Sequence, residues 1–167
     1  MTQDPGDAGG ELAGQVIAML RAAGQTVAAA ESLTGGLVAA ALTSVPGASE
    51  AVRGGVVSYA TDLKATLLGV PQAMLDTHGA VYPGVASAMA NGVRRRLGAT
   101  FGVATTGVAG PDPADGQPVG TVHIAVSAHD DTVVRTLALD GNRERIRRLT
   151  VERSLALLLG RLREDTR

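Results

Sequence analysis

Short apolar segments alternate with amphipathic helical stripes along nearly the whole of this chain, and that alternation limits its fold more than any other feature. Leu12, Val16 and Leu20 recur at four-residue spacing, which predicts a helix over 11–23 that stops before Gly24. Residues 26–30 form a small apolar strand, and 37–44 read as a helix stopped by Pro46 and Gly47. The run 54–59 is strand-like, and 62–68 and 71–77 are short helices. Val85, Met89, Val93 and Leu97 make one stripe over 83–97, closed by Gly98. Strands are predicted at 100–105, 121–128 and 132–139, the last two joined as a hairpin through His129, Asp130 and Asp131. A final helix over 143–163 turns Val151, Leu155, Leu158 and Leu162 to the core. Helices alternating with strands and ending in a hairpin predict a single α/β domain, a three-layer α/β/α sandwich around a mixed sheet.

The interior of such a domain must here be aliphatic. Hydrophobic residues make up 45% of the 167 positions but aromatics only 2%: Phe101, Tyr59 and Tyr82. So few aromatic rings argue against base-stacking surfaces, and a net charge of −1 supplies no attraction to nucleic acid or an anionic membrane. The absence of cysteine removes disulfides, thiolate catalysis and cysteine metal sites together. Residues 1–10 are acidic and Gly-rich with no hydrophobic run, so they read as a disordered leader rather than a signal peptide, with the domain occupying 11–167. No stretch is long and apolar enough to span a bilayer, and a soluble cytoplasmic protein is the expectation.

Lys64 is the one lysine; the other basic residues, of fifteen, are arginines. Arginine does not give up its proton in a protein, whereas a desolvated lysine can and so becomes a base. The competing reading is compositional drift towards arginine, with one surface lysine surviving by chance. A catalytic lysine must fall from ~10.4 to ~7–8, at a cost of roughly 4 kcal/mol, and Ala65, Leu67 and Leu68 offer part of the desolvation.

Three segments put small polar residues at the exit of a predicted strand, where open α/β sheets bind ligands. In AAAESLTGG, Ser32 lies between strand and helix, suited to an oxyanion near a helix N-terminus, or else Ser32 or Thr34 simply caps that helix. In SYATDLK, Tyr59 ends a strand and Lys64 follows about one helical turn later; serine activated by lysine is a recognised nucleophile pair. In ATTGVAGPDPADGQPVG, Thr105 and Thr106 offer hydroxyls while Gly107 and Gly110 open backbone N–H groups to a phosphate or carboxylate. That loop is neither a Walker loop nor GxGxxG, and crossovers carry Gly and Pro for turn geometry alone.

His78, His123 and His129 show no ligand spacing, and Asp112 and Asp115 read as solvated, so no metal is expected. Arg145, Arg147, Arg148 and Arg153 read as the wet face of the last helix. Arg143 differs: a cation at a helix start is disfavoured, which suits it to binding an anion.

Taken together, AESLTGG, GGVVSYATDLK, HGAV, ATTGVAGP, PVGTV and GNR stand in the order seen in the CinA C-terminal domain family, which includes stand-alone nicotinamide mononucleotide deamidases; the chain resembles that family from about Glu11 to Leu162. The resemblance implies an amidohydrolase that turns nicotinamide mononucleotide into nicotinate mononucleotide and ammonia, with no metal or organic cofactor. It implies Ser32 as nucleophile and Lys64 as its base, with Tyr59 assisting. Glu31, Ser49, Thr105, Thr106, Gly107 and Gly110 would then serve substrate binding, with Arg143 near the phosphate. The chain departs from the family pattern at Ala60, at Tyr82-Pro83, across 113–117, and at Gly-Asn-Arg where Gly-Asp-Arg is usual. A nucleotide-binding module without turnover and a competence- or DNA-damage-linked interaction protein are the alternatives. Homo-oligomerisation is expected of a small α/β enzyme.

Overall fold

The computed structural model describes residues 8–165, and its elements follow the alternation of the sequence. They run α1 (Ala8–Ala23), β1 (Val27–Glu31), α2 (Leu37–Thr43), a 3-10 turn at Ala48–Glu50, β2 (Val52–Val57), α3 (Thr61–Leu68), α4 (Gln72–His78), α5 (Pro83–Arg96), β3 (Phe101–Gly107), β4 (Thr121–Ser127), β5 (Thr132–Ala138) and α6 (Arg143–Asp165). The strands form one sheet in the order β2-β1-β3-β4-β5. Strand β1 is parallel to β2 and to β3, and β3-β4 and β4-β5 are antiparallel. The mixed sheet and the single α/β domain are as expected.

Each strand divides its side chains between two cores because its period is two. Val27 and Ala29 of β1, with Phe101 and Val103 of β3, face a core closed by α1, α2 and α6. Ala28 and Ala30 of β1 and Ala104 of β3 face the other, closed by Leu68 of α3 and by Val85, Met89 and Val93 of α5. With alanine supplying much of the sheet surface, the covering helices sit close. The approach is closest at Gly102 of β3, where a Cβ would lie 2.1 Å from the Ala90 carbonyl oxygen of α5.

Several boundaries shift by a residue or more, and two of these shifts change what a segment is. Helix α1 starts at Ala8, so three residues of the expected leader are helical, and the rest of that segment lies outside the described residues. Its packing against α2 and α6 outweighs the poor helix propensity of Gly9 and Gly10. Strand β2 ends at Val57, so Ser58 and Tyr59 lie in the turn before α3. Among the described residues no helix is long and apolar enough to cross a membrane.

The chain leaves β1 for β2 on one side, and β3 later pairs on the other side. This makes the carboxyl end of β1 the topological switch point, where two neighbouring strand exits diverge and leave a crevice.

Candidate active site

Ser32 is the first residue beyond β1. Its N–H donates to the Thr105 carbonyl oxygen at 3.1 Å, which extends the β1-β3 ladder by one rung. The turn after it is held from three sides. Glu31 points beneath α2, where its carboxylate accepts from the N–H groups of Val38 at 2.8 Å and Ala39 at 3.0 Å. Thr34 and Thr105 share a hydrogen bond between hydroxyls at 2.8 Å. Arg147 donates to the carbonyl oxygens of Leu33 at 2.9 Å and Thr34 at 3.2 Å. The expectation that Arg147 belongs to a wet face is therefore corrected: it ties α6 to the Ser32 turn. The N–H groups of Leu33 and Thr34 have no acceptor among the described residues.

Lys64 reaches the same place from α3. It is fully buried, a rare state for a lysine. Its Nζ lies 3.0 Å from Ser32 Oγ, 2.6 Å from the Ser58 carbonyl oxygen and 3.3 Å from that of Tyr59. Burial pulls its pKa down from 10.5 to about 8, partly opposed by the carboxylates of Asp115 and then Asp62. An ammonium there has an acceptor for each of its three protons. A neutral amine fits as well: two N–H bonds stay on the carbonyls and the lone pair meets the Ser32 hydroxyl.

Ser32, Tyr59, Lys64, Thr106, Gly107, Gly110 and Arg143 share the wall of one pocket of about 280 Å³. Arg143, in the first turn of α6, donates to the Gly110 carbonyl oxygen at 2.7 Å and to the Tyr59 hydroxyl at 3.0 Å, joining the second and third motif segments. Tyr59 itself is 60% exposed, so its ring forms rim rather than floor. Thr106 donates its hydroxyl to the Ala80 carbonyl oxygen at 2.8 Å.

Three expected binding residues lie off the pocket. Glu31 and Thr105 stand behind it, their polar atoms taken by α2 amides and by Thr34. Ser49 sits exposed in the 3-10 turn before β2, at the opposite end of the parallel strands. Parallel pairing puts residues entering β2 beside the start of β1, while Ser32 leaves the other end.

Asp115 is the residue that sequence reasoning missed. It lines the pocket, and its Oδ2 accepts from the Ala80 N–H at 2.8 Å. The Asp115-Gly116 pair, which favours a tight hairpin turn, was the available signal. The histidines lie elsewhere: His78 stacks on Tyr82 with centroids 3.8 Å apart, His123 pairs with Thr136, and burial lowers the His123 pKa.

The fold and the pocket define a class: an open α/β domain with a buried lysine against a serine at the switch point. The chain belongs to the CinA C-terminal domain family, whose model matches residues 10–162. It is 54% identical over 153 residues to a CinA-like protein of Frankia casuarinae, covering 92% of this chain and 35% of that protein. A CinA-like protein of Gloeobacter violaceus is 49% identical over 150 residues, covering 88% of this chain and 35% of that one. The chain thus spans about a third of the length of these curated relatives. Among solved structures, the competence/damage inducible protein CihA of Agrobacterium tumefaciens superposes with a TM-score of 0.89 at 40% identity, over 96% of this chain and 98% of that one. A CinA superfamily protein of Klebsiella pneumoniae gives a TM-score of 0.90 at 30% identity, covering 93% and 98%.

Proposed function

We propose that this domain is an amidohydrolase that cleaves the carboxamide of nicotinamide mononucleotide, with Ser32 as nucleophile and Lys64 as general base. The observation that carries the reading is the 3.0 Å contact between Lys64 Nζ and Ser32 Oγ on an amine whose other two bonds are taken by carbonyls. Those carbonyls aim the lone pair at the serine. Basicity supports the same reading. With a pKa of about 8, roughly a quarter of the amines are neutral at pH 7.5, against about one in a thousand at 10.5.

The steps balance without any further group. Ser32 Oγ attacks the amide carbon while its proton passes to Lys64 Nζ, giving a tetrahedral oxyanion and an ammonium. The N–H groups of Leu33 and Thr34 are the unused donors next to the nucleophile and suit that oxyanion. The ammonium then protonates the departing nitrogen, ammonia leaves, and an acyl-serine remains. Water attacks the ester, Lys64 takes its proton and returns one to Ser32, and the carboxylate is released. The Arg143 guanidinium suits the substrate's phosphate, since it lines the same pocket as the dyad.

The test is ammonia release from nicotinamide mononucleotide by the purified protein beside Lys64→Arg, which keeps the charge and loses the base. Turnover in the wild type that is lost by at least a hundredfold in the variant is expected. Binding of the nucleotide without turnover in the wild type would make this a binding module, and full activity in Lys64→Arg would remove the dyad.

A further inference from the structure

The loop between β3 and β4 carries a small device of its own. Ala114 and Gln117 exchange backbone hydrogen bonds, N–H of 114 to O of 117 at 3.2 Å and N–H of 117 to O of 114 at 2.9 Å. That closes a two-residue hairpin with Asp115 and Gly116 at its tip. Both tip residues have positive φ, 51° and 70°, as tight hairpin turns require. Asp115 is the one described non-glycine residue in that region, a conformation aspartate and asparagine tolerate better than most.

The tip is planted on the turn after α4. Asp115 Oδ2 takes the Ala80 N–H at 2.8 Å, and the carboxylate packs so closely over Gly79 that a Cβ there would lie 2.9 Å from Asp115 Cγ. The Ala80 carbonyl is held in turn by Thr106 at 2.8 Å. Ala80 is thus clamped at both ends of its backbone, once by a pocket threonine and once by the hairpin tip. The carboxylate held there shares the pocket wall with Lys64.

We propose that Asp115 is a positioning residue for the Ser32–Lys64 pair: the hairpin latches its carboxylate onto Ala80, so that a fixed negative charge faces the Lys64 amine across the pocket. The charge does what neither the latch nor the Lys64 hydrogen bonds do. It stabilises the ammonium formed when Lys64 takes a proton, and so offsets part of the burial that makes the amine neutral at rest. Lys64 is then a stronger base than burial alone would leave, while still partly deprotonated near neutral pH.

The other charged groups around the amine do not duplicate this. Asp62 lies on the same helix as Lys64 and acts in the same direction more weakly. Glu31 on β1 is turned away and held by α2 amides. Arg143 of α6 is engaged by Gly110 and Tyr59, Asp112 lies in the loop ahead of the hairpin, and His123 on β4 pairs with Thr136 and has its pKa lowered by burial. His78, at the end of α4, is stacked on Tyr82.

Because Lys64 is the only lysine, its amine can be titrated by itself. Protein labelled with ¹³C at lysine Cε gives one side-chain resonance, whose shift against pH reads the amine directly and needs no substrate. The wild type is expected to titrate near pH 8. Asp115→Asn keeps the acceptor for Ala80 and tolerates the positive φ but loses the charge, so its midpoint moves to lower pH. Asp115→Gly frees the backbone and also loses the charge; it moves the same way and serves if the asparagine variant folds poorly. Asp62→Asn moves the midpoint less. Midpoints at the wild-type pH in both Asp115 variants, or displaced upward, overturn the proposal.

The kinetic consequence rests on the amide-hydrolysis reading: in Asp115→Asn the acidic limb of kcat/KM follows the Cε midpoint downward while KM stays unchanged. The titration and the turnover assay fail separately. A shifted midpoint in a protein without turnover keeps the electrostatic role and removes only the hydrolase.

Discussion

Replacing Lys64 by methionine keeps the side chain out to Cε and removes the one lysine amine in the protein, which turns the burial of that amine into a measurable stability. In the folded protein the amine titrates at about 8, whereas in the unfolded chain it titrates at the ordinary 10.5. Below pH 8 both states carry the ammonium, and the folded state alone bears the cost of burying it. Between 8 and 10.5 the unfolded state binds more protons, so wild-type stability rises with pH; above 10.5 both amines are neutral and the cost is gone. The gap of about 2.5 pH units corresponds to roughly 3 kcal/mol, and screening through the open pocket reduces it to about 2–3 kcal/mol. Lys64→Met has no such titration. Urea unfolding of both proteins at steps from pH 7 to 10.5 should therefore show the wild type gaining about 2–3 kcal/mol relative to the variant, with other titrating groups cancelling in the difference. Two stability curves that stay parallel across that range would mean the amine is not desolvated, and the argument for a neutral base would go with it.

Two further outcomes follow from the same geometry. Arg143→Ala should raise KM for a phosphate-bearing amide by about ten- to a hundredfold with a smaller effect on kcat, because a charge-assisted contact is worth roughly 1.5–3 kcal/mol; unchanged KM in steady-state kinetics would take Arg143 out of substrate binding. Glu31→Gln should lower stability by about 2–4 kcal/mol in urea unfolding, since the amide meets two helix N–H groups with a single acceptor; a loss in turnover with no loss of stability would return Glu31 to the pocket.

The layout of the elements was legible because it is local. Period-four stripes such as Leu12, Val16 and Leu20, and breaks such as Gly24 and Pro46-Gly47, act within a few residues and do not depend on where the chain goes next. Ser32, Lys64 and Arg143 stood out by residue type: a serine at a strand exit, a lone lysine among arginines, a cation at a helix start. The placement of other residues depended on tertiary packing. Ser49 precedes β2 and so falls at the end of the sheet where β1 begins, about 15 Å of strand from Ser32 at ~3.3 Å per residue. Glu31 follows Val27 and Ala29 onto the α2 side by the period of the strand, and only the packing of α2 there brings the N–H groups that take its carboxylate. Asp115 is exposed, as it reads, but only the folded hairpin sets one of its carboxylate oxygens on the Ala80 N–H.

What the sequence by itself determined, then, is the set of helices and strands, the aliphatic character of the core and the types of group available for chemistry. Only the tertiary structure decided that a serine and a lysine 32 positions apart would meet at 3.0 Å with two carbonyls directing the amine. The physical reason is that strand order and register are set by long-range packing on both faces of the sheet. Where β1 places its exit between β2 and β3, the Ser58–Lys64 turn is brought against Ser32, and the burial that makes the amine a base comes from segments distant in the chain.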